Sequence, residues 1–218
     1  MEHELDYWQV NKTARVVRNG RVGDNTQYFW LALHGSHMTC EQMLYKFRDF
    51  DPEKHLVVAP EGLNRFYSKG FSGEVLATWM TSRDRIKEIE DFSAYLSDLY
   101  QHYSIQLPER CKKIVLGFSQ GGTTAYRWLH REKIELDLLL GYACWIPEDI
   151  DLKQSATNLA LLRQVYTYGL QDQYLQEDRV EVLKDIIRKN DLDINFEPYA
   201  GGHRVDRKQL QGLWKKYL

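Results

Sequence analysis

Short apolar runs alternate with amphipathic stretches along most of the chain. Runs typical of strands lie at 13–18, 27–33, 56–60, 113–116, 138–140, 164–168 and 194–196. Stretches whose apolar residues recur every three or four positions, as in amphipathic helices, lie at about 82–103, 177–189 and 210–218. Another helix is expected after Thr39, with Gln42 as its capping-box partner. Strands that alternate with helices predict right-handed crossovers, and therefore an α/β fold with a mostly parallel central sheet and helices on both faces.

The bulk composition narrows the class of protein. With 218 residues, of which 43% are apolar and 28% charged, the chain fits one α/β domain over residues 1–218. A net charge of −2 argues against a nucleic-acid partner, and no apolar stretch approaches the roughly 18 residues of a membrane span. The acidic first residues are unlike a secretory signal, and three cysteines without metal-ligand spacing argue against a disulfide framework. We therefore expect a cytoplasmic protein.

The most informative segment is Gly117-Phe118-Ser119-Gln120-Gly121, which directly follows the apolar run at 114–116. It has the form Gly-x-Ser-x-Gly at a predicted strand-to-helix junction, which is the context of a nucleophile elbow. Glycines are needed there because strand and helix approach too closely for larger side chains. We therefore interpret Ser119 as the candidate nucleophile.

A serine hydroxyl needs an adjacent base, which a third group orients. In α/β-hydrolases the acid and then the histidine follow the serine along the chain. Of the seven histidines only His130 and His203 do so, and His130 falls well inside the helix after the elbow. His203, on a glycine-rich loop before the last helix, is therefore the predicted base. Asp172, on the loop after the 164–168 strand, is the preferred acid, and Asp178 is the second choice.

Acyl transfer also needs N–H donors for the negative oxygen of the tetrahedral intermediate. One should be the backbone N–H of Gln120, and the other that of Ser36, in the turn after the 27–33 strand. A metal bound by His34 and His37 is a weak alternative, because their spacing suits a helix and not a turn. A cysteine nucleophile is disfavoured, since none of the three cysteines lies on an elbow and at least two are expected to be buried.

With these motifs the chain resembles the phospholipase/carboxylesterase family of α/β-hydrolases, the group that contains the acyl-protein thioesterases. The matching segments occur in family order over nearly the whole chain: Leu-His-Gly at 33–35, Ala-Pro-Glu-Gly at 59–62, the elbow at 117–122, Trp-Ile-Pro at 145–147, Gly-x-x-Asp at 169–172 and Gly-His at 202–203. The resemblance implies an α/β-hydrolase fold without a lid domain, a triad of Ser119, Asp172 and His203, and no metal or other cofactor. It implies a small-molecule ester or thioester as substrate, and homodimer formation is an open alternative.

Two segments depart from the family pattern near the expected acyl pocket. Where the family has a loop that contains glycine and aspartate, this chain has Ser-His-Met-Thr at 36–39. Where the family has Ser-Gly, it has Tyr-Ala-Cys at 142–144, so substrate identity is the open question. The segment 61–81, read as a connecting loop, holds Phe66 and Phe71, which with Trp145 are our predicted substrate-binding residues. Burial of these loop aromatics in the core is the alternative, and both interpretations stay open here.

The leading hypothesis is a carboxylesterase that uses a Ser-His-Asp triad and an acyl-enzyme intermediate on short- to medium-chain esters. Among enzymes the alternative is an acyl-protein thioesterase or a lysophospholipase. Outside enzymes it is a binding protein on a hydrolase scaffold, although such a protein would be expected to have lost a member of the triad.

Overall fold

The computed structural model describes residues 3–218. In that range the strands are β1 Val16–Asn19, β2 Tyr28–Leu33, β3 His55–Pro60, β4 Asn64–Lys69, β5 Ser72–Thr78, β6 Lys112–Phe118, β7 Leu138–Tyr142, β8 Gln164–Thr167 and β9 Ile194–Phe196. The α-helices are α1 Cys40–Leu44, α2 Arg85–Ser104, α3 Gln120–Arg131, α4 Glu177–Lys189 and α5 Arg207–Tyr217. None of these helices is long and apolar enough to cross a membrane.

Seven strands form one central sheet in the order β1-β3-β2-β6-β7-β8-β9. β1 pairs with β3 in the antiparallel sense, and the other pairs in this sheet are parallel. Leu33 of β2 lies opposite Gly117 of β6, which lies opposite Gly141 of β7. The carboxyl ends of these strands therefore meet at one edge of the sheet, where reactive groups of open α/β sheets are placed. The predicted mostly parallel central sheet with helices is confirmed.

The apolar runs of the sequence form the centre of this sheet. The segments 29–33, 56–60 and 138–142 are buried along their whole length, as parallel strands are when both faces are covered. Inside the core, Trp30 Nε1 donates a hydrogen bond to Nδ1 of the buried His55 at 3.1 Å. Burial lowers the pKa of His55 to about 4, so its imidazole is neutral near pH 7 and can accept this bond.

Most predicted elements keep their bounds to within a few residues, and α4 and β9 match at both ends. α2 begins at Arg85 and not at 82, because the backbone of Asp84 is left-handed, with φ 52°, and a right-handed helix cannot run through it. The capping box of Thr39 and Gln42 is formed, but α1 has only five residues before the chain tightens into a 3-10 turn over Tyr45–Phe47.

The prediction of a connecting loop over 61–81 is wrong, because β4 and β5 form an antiparallel hairpin there. β4 is exposed or half-buried throughout, so its sequence lacks the apolar alternation by which a strand is recognised. The chain turns at Gly70, whose φ of 68° favours glycine. A bridge between Met38 and Ala77 ties the hairpin to the segment after β2.

The three cysteines, Cys40, Cys111 and Cys144, are free and buried, which confirms the prediction of burial for at least two of them. Burial raises the pKa of Cys144 to about 12. Its thiol is therefore protonated near neutral pH, and a protonated thiol is a poor nucleophile.

Gly117 is expected to tolerate a side chain badly. A Cβ added there would lie 2.4 Å from Gly122 Cα and 2.6 Å from the carbonyl oxygen of Gly121. We expect Gly117→Ala to lower the free energy of unfolding by about 1–3 kcal/mol, because strand and helix would have to separate. The matched control is Gly212 in α5, where nothing lies within 4 Å of an added Cβ. Gly212→Ala should raise the free energy of unfolding by about 0.5–1 kcal/mol.

Urea denaturation of the wild type and both variants measures these changes. A Gly117→Ala protein as stable as the wild type would contradict the close packing of β6 against α3.

Candidate active site

Ser119 lies on a sharp turn between β6 and α3. Its backbone has φ 51° and ψ −120°, a conformation that residues other than glycine rarely adopt and that marks strained functional turns. The turn is held by a hydrogen bond from Ser119 N–H to the carbonyl oxygen of Tyr142, at 2.9 Å. The backbones of Gly117 and Gly122 lie so close together that a side chain on either would not fit between strand and helix. The strand–turn–helix context predicted for the elbow is therefore present.

His203 lies beside this serine, on the loop between β9 and α5. The Ser119 hydroxyl donates to His203 Nε2, with Oγ and Nε2 3.0 Å apart. The rings of Phe118 and Tyr174 contact the imidazole, at centroid distances of 5.0 and 4.8 Å. The His203 side chain remains 19% exposed, so it is held in place and still accessible to a substrate.

Asp172 completes the chain of hydrogen bonds. His203 Nδ1–H donates to Asp172 Oδ2 at 2.7 Å, and the carboxylate is fully buried. The second oxygen, Oδ1, accepts the N–H of Tyr174 at 2.8 Å. A proton held on Nδ1 leaves Nε2 with the lone pair that a base needs to take the serine proton. Asp178, the second choice, is an exposed residue in the first turn of α4.

The loops that carry the acid and the base are joined by their backbones. Leu170 N–H donates to the carbonyl of Tyr199, and Gln171 N–H to that of Gly201, both at 2.8 Å. Gly169 packs against the second of these carbonyls so closely that an added Cβ would lie 2.1 Å from it. These bonds fix the distance between Asp172 and His203 independently of their side chains.

The two predicted oxyanion donors lie beside Ser119. Within residues 3–218 the backbone N–H groups of Ser36 and Gln120 donate to no protein acceptor. Gly35 lies directly against the serine, since a Cβ there would be 3.2 Å from Ser119 Cβ. The arrangement therefore leaves two N–H groups free beside Ser119, and an oxyanion formed there would need such donors.

The side chain of Gln120 has a role that the sequence did not indicate. Its Oε1 accepts the Thr78 hydroxyl at 2.8 Å and the Trp79 N–H at 2.9 Å, while its Nε2 donates to the carbonyl of Met80 at 2.8 Å. These bonds tie the first residue of α3 to the end of the hairpin. The Gln120 N–H is thereby held in a fixed position.

A cleft of about 510 Å³ opens onto Ser119 and His203. Its other wall residues are Ser36, His37, Ala143, Cys144, Trp145, Tyr174, Leu175 and Arg179. Trp145 thus lines the cleft, and its contact with a substrate stays a prediction. Tyr174 and Arg179 were not foreseen, because they lie on a loop and a helix turn that carry no motif.

The hairpin aromatics lie elsewhere than predicted. Phe66 packs edge-on against the ring of His37, a wall residue, with centroids 5.0 Å apart, and does not itself line the cleft. Phe71 is fully exposed at the hairpin tip and is not part of the cleft wall, so its prediction as a substrate-binding residue is wrong. Aromatic content alone did not show on which side of the hairpin each ring would lie.

Both nitrogens of His34 are bonded to the backbone. Nδ1 donates to the carbonyl of Gly35 at 2.7 Å, and Nε2 accepts the N–H of Gly62 at 2.9 Å. Burial lowers the pKa of His34, which keeps the imidazole neutral so that it can accept the second bond. His37 instead contacts the Ser36 hydroxyl at 2.8 Å. Both imidazoles are thus bonded to protein groups at this turn.

Another group of potential metal ligands in the described residues is Cys40, Glu41 and Glu61. Arg15 forms ion pairs with both carboxylates, and Arg65 forms one with Glu61. The negative charge that would attract a cation is thus already neutralised.

The family of phospholipases and carboxylesterases matches residues 76–217, well over half of the chain. No curated protein matches the sequence significantly. Among solved structures, Zea mays acyl-protein thioesterase 2 has a TM-score of 0.69 at 18% identity, covering 94% of this chain and 97% of its own. Esterase PE8 has a TM-score of 0.67 at 18% identity, over 95% of this chain and 100% of its own.

A phospholipase/carboxylesterase from Dyadobacter fermentans DSM 18053 has a TM-score of 0.67 at 13% identity, over 96% of this chain and 98% of its own. At such identities the likeness shows the fold alone, which is that of the α/β-hydrolases. The match to the family model identifies the chain as a hydrolase of that family, and it confirms the resemblance predicted from the sequence. The chain therefore belongs to the phospholipase/carboxylesterase family of hydrolases.

Proposed function

We propose that the protein is a serine carboxylic ester hydrolase in which Ser119 is the nucleophile, His203 the base and Asp172 the orienting acid. One observation carries the proposal. A continuous chain of hydrogen bonds runs from the Ser119 hydroxyl through both nitrogens of His203 to a fully buried carboxylate. A nucleophile, a base within reach of its proton and a third group that orients the base are the requirements for covalent catalysis by serine.

In the proposed reaction Ser119 Oγ attacks the ester carbonyl while His203 Nε2 takes the hydroxyl proton. The carbonyl oxygen becomes an oxyanion, which the N–H groups of Ser36 and Gln120 stabilise. Collapse of this intermediate breaks the bond to the alcohol, and the proton on Nε2 passes to the leaving oxygen. Water then attacks the acyl-enzyme by the same route, which releases the acid and restores Ser119. Apart from this water, each step uses only protein groups already in place.

The cleft is large enough to hold short- to medium-chain acyl groups. Its volume of about 510 Å³ lies within the range of roughly 300–1,000 Å³ that small-molecule sites occupy. We expect kcat/KM for p-nitrophenyl esters to rise from acetate through butyrate and hexanoate and to fall for palmitate. Initial rates over this series measure the profile, and the highest kcat/KM on palmitate would contradict the proposed chain length.

A thioesterase that deacylates proteins and a lysophospholipase are the other candidates within the family. The likeness to the Zea mays thioesterase does not make a thioesterase or a lysophospholipase a better candidate than an esterase, because at 18% identity it shows a shared fold and not a shared substrate. Hydrolysis of an S-butyryl-cysteine peptide, measured beside the O-butyryl-serine peptide of equal sequence, distinguishes ester from thioester preference. A binding protein on the same scaffold would hydrolyse neither peptide.

A further inference from the structure

Arg179, in the first turn of α4, carries the one permanent charge among the residues that line the cleft. The other polar groups of the wall side chains are hydroxyls, a thiol, imidazoles and the indole N–H of Trp145. Asp172 is fully buried behind His203 and lines no part of the cleft. A substrate that enters therefore meets a cation and no carboxylate on the wall.

Arg179 is held over an aromatic ring. Its guanidinium carbon lies 5.9 Å from the centroid of the Trp145 ring, within the range of a cation–π interaction. At this distance the ring attracts the guanidinium and leaves its N–H groups available to a ligand. Trp145 is held in turn, since its Nε1 donates to Glu148 Oε1 at 3.0 Å.

Two of the acids near Arg179 in the sequence or at the cleft are paired with other cations. Asp149 binds Arg127 at 2.6 Å, and Glu181 binds Lys184 at 2.6 Å on the far side of the same helix turn. Glu148 accepts the Trp145 bond, and Asp178 is an exposed residue next to Arg179 in sequence. In the described part of the chain no carboxylate lies within 4 Å of the Arg179 guanidinium. The Arg179 guanidinium at the cleft therefore forms no ion pair with a described residue.

We propose that Arg179 is a specificity residue that binds an anionic group on the ester, close to the bond that Ser119 cleaves; this inference rests on the proposed function. A carboxylate or a phosphate matches the guanidinium, whose parallel N–H groups bind such groups in pairs. The anion belongs either to the acyl part, as in a monoester of a dicarboxylic acid, or to the alcohol part, as in an acylated glycerol phosphate. In both cases the anion would accept hydrogen bonds from the Arg179 guanidinium.

Two sets of matched substrates test the inference and distinguish the two sources. For the acyl side, kcat/KM is measured with monoethyl succinate, glutarate and adipate against ethyl butanoate, pentanoate and hexanoate, so that each pair differs by a terminal carboxylate. For the alcohol side, acetylglycerol phosphate is compared with glycerol monoacetate. Each comparison is made with the wild type, with Arg179→Gln and with Arg188→Gln. Arg188 lies on the same helix and is paired with Asp185.

We expect the wild type to prefer the anionic member in one of the two sets by about tenfold or more, as a charge-assisted hydrogen bond provides. Arg179→Gln should reduce this ratio to about one, and Arg188→Gln should preserve it. The set with the preference identifies the source of the anion. If the wild type cleaves the neutral esters but shows no preference for the anionic ones, or if Arg179→Gln keeps that preference, this inference is wrong and the proposed function still stands. A protein that cleaves no ester in either set overturns the proposed function as well.

Discussion

Replacing Ser119 with alanine is expected to lower kcat for p-nitrophenyl butyrate by at least about 10⁴-fold. Alanine has no oxygen to form the acyl-enzyme, so only water bound near the oxyanion donors could attack the ester. The fold should be unaffected, because the strained turn is held by the Ser119 N–H, whose bond to Tyr142 does not involve the side chain. Steady-state kinetics of the purified variant measure the loss.

The matched control is Ser72→Ala, an exposed serine at the start of β5. It should keep the wild-type kcat. A Ser119→Ala protein within tenfold of the wild type, with a circular dichroism spectrum that matches it, would show that another group is the nucleophile.

Asp172→Asn is expected to lower kcat by about 10⁴-fold while KM changes little. The environment of the carboxylate explains why so small a change has so large an effect. Oδ1 accepts the N–H of Tyr174, so the oxygen of an asparagine would stay on that side and its NH₂ group would face His203. An NH₂ group donates to Nδ1, which forces the imidazole proton onto Nε2, where it blocks transfer of the serine proton.

Asp178→Asn is the control for this prediction, since Asp178 was the second candidate for the acid and is exposed in α4. Its kcat should equal that of the wild type. If Asp178→Asn loses activity and Asp172→Asn retains it, the assignment of the acid is reversed. Near-ultraviolet circular dichroism on both variants separates a change of tautomer from a loss of folding.

The central sheet could be predicted from the sequence because its strands are buried apolar runs, such as 29–33 and 138–142. The positions of Ser119, Asp172 and His203 followed from strand ends and chain order, which place loops at one edge of a parallel sheet. The hairpin of β4 and β5 could not be predicted, because its stability comes from pairing and from the bridge at Met38.

The sequence also did not reveal side chains whose contacts lie far away along the chain. The bonds of Gln120 reach Thr78 and Met80, some forty residues away in the chain. The place of Arg179 in the cleft depends on how α4 packs beside Trp145. Neither follows from local pattern, since both depend on contacts between segments that only the folded chain brings together. The cytoplasmic location, the single domain and the homodimer stay predictions.

The central claim is that the hydroxyl of Ser119 is activated as a nucleophile. A fluorophosphonate probe tests it most directly, because the probe forms a covalent bond with an activated serine hydroxyl and does not depend on knowing the substrate. After incubation at neutral pH, mass spectrometry of the intact protein and of its peptides gives the number and position of adducts. We predict one adduct, on Ser119, that is absent from Ser119→Ala and strongly reduced in Asp172→Asn. No adduct on the folded wild type, or an adduct on another residue, would contradict the account.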